Sequence, residues 1–289
     1  MNPQSISPVE RGWVTTDGYR LFVLHWPGAE PVRGRVVMLH GVQSHSGWYE
    51  NLGRTLAAAG YDTFFPDRRG SGRNTVDRGH TPSAGRLILD VAEGLDALKR
   101  QRPNWPIALG AISWGGKLAV LTAAKHPKLV DALALICPGL HPRVGVTTGE
   151  RLRIAAAMLT HRHKRFPIPL SDPALFTANP DAQRFIADDP LSLRQGTAML
   201  LASSFFIDQR LRRLPPQEHP PTLLMLAGQD RIVDNARTLQ YVTRTYPGSL
   251  LQVIEYPDGH HTLEFDADPS RYARDLISWL NQTLNVGDR

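Results

Sequence analysis

The sequence predicts an α/β protein built on a doubly wound, mostly parallel sheet. Three observations carry that expectation. Short apolar runs recur along the chain and none alternates cleanly with polar residues, which is how strands covered on both faces read. Helical patterns separate most of these runs, and strand alternating with helix is the mark of a parallel sheet packed between helices. The rhythm breaks once, between residues 140 and 219, where no strand-like run occurs.

Taken in order, residues 12–26 hold two β-rich runs around Asp17-Gly18, a hairpin signal for the antiparallel edge of the sheet. Strands are expected at 36–39, 63–65, Ile107–Ile112, Ala132–Ile136, Thr222–Ala227 and 252–256. Helices are expected at 49–59, ended by Gly60, and at 85–100, where Leu87, Val91, Leu95 and Leu98 share a face. Asp268-Pro269 supplies an N-cap and first helical position for a last helix carrying Tyr272, Leu276 and Leu280. The interrupting stretch holds helical patterns at 150–161 and 191–206 joined by proline-rich connectors. It reads as a helical lid inserted into the sheet domain. The expected organisation is a core of 1–139 and 220–289 with a cap of 140–219.

Hydrophobic residues make up 42% and charged residues 21% of 289, the balance of a water-soluble globular protein with a large core. The net charge of +6 comes from scattered arginines without interleaved stacking aromatics, so no nucleic-acid partner is expected. The single cysteine, Cys137, follows an apolar run and reads as a small buried hydrophobe in a reducing compartment. The first residues lack a basic stretch followed by an apolar one, and no run reaches the roughly 18 apolar residues of a membrane span. The expected location is the cytoplasm.

Chemistry is concentrated at Gly110-Ala111-Ile112-Ser113-Trp114-Gly115-Gly116. A strand enters, a helix leaves, and Ser113 sits on the turn between them with small residues, Ala111 and Gly115, two positions to either side. Such a turn lifts the serine hydroxyl clear of the sheet and aims the first helical N–H groups at an oxyanion formed there. A hydroxyl needs a base, and the base an orienting acid. Asp230 follows the strand at Thr222–Ala227, and the pair His260-His261 follows the next strand. Open α/β sheets place their sites at these strand ends. The bland alternatives are a turn serine for Ser113 and a turn or capping aspartate for Asp230. Asp234, however, is positioned to cap the helix that starts at Asn235.

These motifs resemble the α/β-hydrolases of the monoacylglycerol lipase and lysophospholipase type, over nearly the whole chain. Residues 40–50, HGVQSHSGWYE, resemble that family's HGxxxHSxxY loop, and residues 67–72, DRRGSG, its DxxGxG turn. His261-Thr262-Leu263-Glu264-Phe265-Asp266 resembles the histidine loop. Ala111 stands where many members have glycine and is small enough for the turn. The resemblance implies an eight-stranded, mostly parallel sheet flanked by helices, with a helical cap after the sixth strand. It implies Ser113 as nucleophile, Asp230 as acid and His261, rather than His260, as base, with no metal or organic cofactor. The Val42 and Trp114 N–H groups would form the oxyanion hole. His40 would hold its loop by hydrogen bonds.

The implied activity is a serine carboxylic ester hydrolase acting on small apolar esters, monoacylglycerols or lysophospholipids. The same residues serve carbon–carbon hydrolases, thioesterases, amidases, acyltransferases and cofactor-free haloperoxidases. A non-catalytic binding module is a further alternative. Dehalogenases and epoxide hydrolases are disfavoured because Ser113 occupies the position where they carry aspartate. His45, Met158, Met199 and Phe205 are candidate substrate contacts. Leu159, Leu200 and Phe206 share the lid's amphipathic stretches, whose plainer role is core packing. His161-Arg162-His163-Lys164-Arg165 matches no zinc-site spacing and reads as a solvated helix end or a patch for anionic head groups. Gly70 and Gly72 lack the Gly-Lys-Ser/Thr ending of a phosphate loop. Transient contact with a membrane surface is compatible with this reading.

Overall fold

The computed structural model describes residues 6–216 and 218–284. Ten strands and eight α-helices follow one another: β1 (Val9–Val14), β2 (Arg20–Trp26), β3 (Gly34–Leu39), α1 (Glu50–Ala58), β4 (Tyr61–Pro66), α2 (Ala84–Gln101), β5 (Ile107–Ile112), α3 (Gly115–Lys125) and β6 (Ala132–Ile136) form the first part. After them come α4 (Thr148–Thr160), β7 (Arg165–Pro167), α5 (Pro180–Asp188), β8 (Gln195–Thr197), α6 (Ala198–Arg212), β9 (Thr222–Ala227), α7 (Asn235–Thr245), β10 (Leu251–Tyr256) and α8 (Ser270–Thr283). Eight strands make one sheet in the order β1-β2-β4-β3-β5-β6-β9-β10. β2 runs antiparallel to both neighbours, and every other pairing in this sheet is parallel.

The continuous apolar runs explain the architecture. β3, β5, β6 and β9 are buried at every position, so helices must cover both faces. α1 and α8 pack against each other, and α2 packs against α3. The hairpin forms around Asp17-Gly18, with Gly18 at φ +79°, a conformation glycine adopts without strain. Asp234 caps α7, its carboxylate accepting from the Arg237 N–H at 3.1 Å.

Three local expectations are corrected. The stretch 140–219 does contain strands: β7 and β8 pair antiparallel. Each is three residues long, and Gly196 and Pro167 mask any pattern. The helix expected over 191–206 starts at Ala198 and runs to Arg212, because the Thr197 hydroxyl caps it by accepting from the Leu200 N–H. Asp268 is not the N-cap of the last helix. α8 begins at Ser270, whose N–H the Asp268 carboxylate accepts at 3.1 Å, with Pro269 between. Among the described residues, no helix is long and apolar enough to cross a membrane.

Candidate active site

The turn after β5 holds Ser113 at φ +53°, the left-handed region in which a residue with a Cβ is strained. Three backbone hydrogen bonds fix it there. Its N–H donates to Ile136 O at 3.0 Å, and its carbonyl accepts from Gly116 N at 2.9 Å and Gly139 N at 2.7 Å. Gly115 is required next: a Cβ there would lie 2.7 Å from His40 O and 2.8 Å from Leu39 O. α3 therefore starts hard against the loop that leaves β3.

His261 enters from the loop after β10. Its Nε2 lies 2.8 Å from Ser113 Oγ and its Nδ1 2.8 Å from Asp230 Oδ2. A carboxylate only accepts, so Nδ1 carries the proton and Nε2 accepts from the serine hydroxyl. The second Asp230 oxygen accepts from the Ile232 and Val233 N–H groups, each at 2.8 Å. Asp230 and His261 are buried, whereas Ser113 is partly open. His260 turns elsewhere and pairs with Asp266 through Nδ1 at 3.2 Å. Phe176, on the segment between β7 and α5, packs edge-on against the His261 ring at 6.1 Å and accepts the Thr262 N–H at 2.9 Å.

The loop after β3 faces the serine. A Cβ on Gly41 would come 3.5 Å from Ser113 Oγ, so this glycine leaves room for a reacting group. His40 is buried, accepts the Arg68 N–H through Nε2 at 2.8 Å and donates from Nδ1 to Gly41 O at 2.7 Å. Burial, with the Arg68 charge adding to it, pushes its pKa well below the ordinary range. It stays neutral and ties this loop to the turn after β4. Among the described residues, neither the Val42 nor the Trp114 N–H donates to a protein acceptor.

Among the described residues, none of the other candidates forms a hydrogen bond with Ser113. His45 is buried and its Nε2 donates to Asp189 Oδ2 at 3.0 Å. Met158 packs on the small cluster of Ile154, Ala157, Phe166 and Ala198. Met199 is half-buried at the start of α6, its N–H donating to Arg162 O at 3.1 Å. Phe205 is 52% exposed, edge-on to Phe206. On the same helix α6, Ser204 accepts from Trp114 Nε1 at 2.9 Å and Asp208 from Lys117 Nζ at 2.6 Å. Residues 161–165 are exposed. Cys137 is fully buried and burial pushes its thiol well up, leaving it no nucleophilic character.

Sequence reasoning missed three polar groups, Arg68 half-buried and Asp189 and Glu264 buried. Arg68 sits beneath the Gly41-Val42 loop. Asp189 accepts from His45, from Trp48 Nε1 at 2.7 Å and from Ser192 Oγ at 2.8 Å. Glu264, just past His261, accepts from Leu52 N at 3.2 Å and from the Tyr272 hydroxyl. Burial, only partly offset by these donors, pushes its carboxyl up to about 7. In sequence each is one charged residue in a polar loop, and no spacing marks it out.

The chain is similar to known hydrolases. The family model described as serine aminopeptidase, S33, matches residues 30–268. Human monoglyceride lipase is 26% identical over 223 residues, covering 77% of this chain and 73% of that protein. The monoacylglycerol lipase of Mycolicibacterium smegmatis is 23% identical over 94% of this chain and 96% of its own length. Among solved structures, a soluble variant of monoglyceride lipase from Saccharomyces cerevisiae superposes with a TM-score of 0.85 at 19% identity, covering 98% of each chain. Matched by its family model from residue 30 to residue 268, the chain belongs to the serine aminopeptidase S33 family and is an α/β-hydrolase of the monoglyceride lipase-like type.

Proposed function

We propose that the chain hydrolyses carboxylic esters of apolar acyl groups, monoacylglycerols and lysophospholipids first among them, through an acyl-enzyme on Ser113. The enzyme is a carboxylic ester hydrolase; the substrate class and the residue roles are our reading. The observation that carries it is the chain of two 2.8 Å contacts from Ser113 Oγ through His261 to Asp230, on a serine held at φ +53°. Relatives named monoglyceride lipase and lysophospholipase L2 support the substrate class.

In this reading His261 Nε2 takes the hydroxyl proton as Oγ attacks the ester carbonyl. The Val42 and Trp114 N–H groups, free of internal acceptors, stabilise the oxyanion. The alcohol leaves with the proton from His261, and water releases the acid by the same route. Asp230 keeps the proton on Nδ1 and stabilises the imidazolium. Residues 1–139 and 220–289 form the catalytic core and 140–219 the cap. Leu152, Leu159, Phe205 and Phe206 are exposed on that cap, as are Arg162, Lys164 and Arg165, a composition suited to transient contact with an anionic lipid surface.

Labelling by a fluorophosphonate and hydrolysis of an ester chain-length series test the reading, with thioesters and amides as comparison substrates. Ser113→Ala should abolish both labelling and hydrolysis, and substrate in anionic vesicles should turn over faster than in zwitterionic ones. A Ser113→Ala variant that keeps either reaction refutes the nucleophile, and a clear amide preference refutes the substrate class.

A further inference from the structure

Beneath the loop that faces Ser113 lies a cation that the mechanism above does not use. Arg68 is half-buried with its Nε out of reach of solvent, and its guanidinium donates from Nη1 to Gly41 O at 2.9 Å and from Nη2 to Val42 O at 2.8 Å. The same guanidinium stacks 4.9 Å from the centre of the Trp114 ring. It therefore touches both residues whose N–H groups are assigned to the oxyanion. Asp67, the neighbouring negative charge, directs its oxygens to the Ser46 and Arg73 N–H groups instead, at 2.7 and 2.8 Å. Arg68 Nε is buried without a partner.

A half-buried cation with no direct ion pair among the described residues and a buried Nε without a partner is costly to keep, so packing alone gives no reason for it. Peptide geometry does. The Gly41–Val42 bond is trans, which places the Gly41 carbonyl and the Val42 N–H on opposite edges of one plane. Pulling the carbonyl towards Arg68 turns the N–H away from it. His40 Nδ1 adds a second donor to the same carbonyl at 2.7 Å, and the hold on Val42 O prevents the next peptide from rotating. A planar fork bridges two carbonyls from two nitrogens at fixed spacing, whereas an ammonium donates from one point on a flexible stem. Burial pushes the Arg68 pKa down to about 10, only partly offset by Asp67, so the group stays charged at neutral pH.

We propose that Arg68 is a positioning residue for the oxyanion hole, fixing the Gly41 and Val42 carbonyls so that the Val42 N–H stays directed at the reacting carbonyl oxygen. The inference rests on the Ser113 mechanism proposed above. It adds a cation, from the turn after β4, to the machinery of the hole. It assigns the pair formed by His40 and Arg68 one shared task, orienting a single peptide plane.

The test compares Arg68→Met and Arg68→Lys with the parent enzyme on a short-chain ester, counting active sites by fluorophosphonate titration. A mispositioned oxyanion donor should lower kcat per titrated serine roughly 30-fold in Arg68→Met, with KM within about twofold. Arg68→Lys keeps the charge and most of the stem, so it keeps the fold if Arg68→Met does not. It should lose roughly tenfold, since a flexible ammonium donating from one point does not hold both carbonyls at the fork's fixed spacing. Affinity for a trifluoromethyl ketone, which forms the tetrahedral adduct, should weaken by the same factor as kcat/KM falls in each variant. A parent-like kcat per titrated serine in Arg68→Lys overturns the proposal. So does a loss confined to the number of titratable sites, which is what a purely structural role would produce. Failure of the mechanism itself reads differently: the parent would then bind no trifluoromethyl ketone, or Ser113→Ala would still turn over.

Discussion

β3, β5, β6 and β9 are buried along their whole lengths, whereas the cap helix α4 buries only Ile154 and Ala157 and leaves Leu159 90% exposed. The sheet holds its shape by apolar packing on both faces. The proposed cap has one small apolar cluster of its own, around Phe166, sends Ile168, Phe176, Leu200 and Ile207 into the main core, and is tied to that core by polar contacts as well. Lys117 meets Asp208 at 2.6 Å, Trp114 meets Ser204 at 2.9 Å, His45 meets Asp189 at 3.0 Å, and Arg78 donates to Leu191 O at 2.8 Å. In the proposed mechanism the reacting atoms lie on loops of the sheet region, at Ser113, Asp230 and His261. We expect catalytic geometry and the packing of the proposed cap to be separable by mutation.

The sharpest test of that separation is in the core. In Asp230→Asn the amide oxygen can still accept from the Ile232 and Val233 N–H groups, so the loop should hold. Its NH2 then faces His261 Nδ1 and forces the proton to Nε2, the wrong tautomer for accepting from Ser113. The expected result is a kcat lower by roughly 10,000-fold with the melting temperature little changed. Steady-state kinetics beside thermal melts would check both halves.

Packing should show the same contrast at smaller scale. Leu109 is fully buried in β5 and Ile154 is nearly so in the cap cluster. Leu109→Ala should destabilise global unfolding by about 4 kcal/mol, and Ile154→Ala by about 2 kcal/mol or less, confined to the cap. Urea unfolding combined with hydrogen exchange distinguishes the two. Equal global losses would show that cap and core unfold as one unit.

What the sequence made legible follows this division. The elbow could be read because its geometry demands small residues at Ala111 and Gly115, and a strand before it announces the turn. Asp230 and the histidine pair could be read because parallel strands end on one rim, so position along the chain predicts position in space. The cap resisted. β8 is three residues around Gly196, and the start of α6 depends on the Thr197 hydroxyl. Asp189 meets His45 across 144 residues of chain. Arg68 escaped for another reason: its partners are backbone carbonyls, which leave no trace in a sequence.

Glu264 joins the histidine loop to the start of α1, and its effect should appear as pH dependence. The folded carboxyl keeps its proton up to about 7, against an ordinary value of 4.5. Between those values the native state binds more protons than the unfolded one, so stability falls as pH rises through that window. A shift of this size corresponds to at most about 3 kcal/mol. Glu264→Gln, uncharged throughout, should remove that decline, and urea midpoints at pH 5 and pH 8 would measure it. A parent and variant that decline equally would place the titrating group elsewhere.

The smallest expected effect concerns the cap alone. Burial raises the Asp189 pKa, but donors from His45, Trp48 and the Leu191 N–H outweigh it, and the carboxylate is held well below its ordinary range. Its contribution is therefore present above the unfolded value of 3.8 and is lost as pH falls through the folded one. Asp189→Asn keeps the shape and removes the charge that strengthens these hydrogen bonds, weakening the attachment by about 1–2 kcal/mol. Because Asp189 touches His45 and Trp48 rather than Ser113, fluorophosphonate labelling should stay near the parent rate. Protease should instead cut the stretch around 161–165 faster, with the sheet still intact. If labelling falls as steeply as cap protection, the peg also shapes the catalytic loop through His45, and cap and core are not separable at this point.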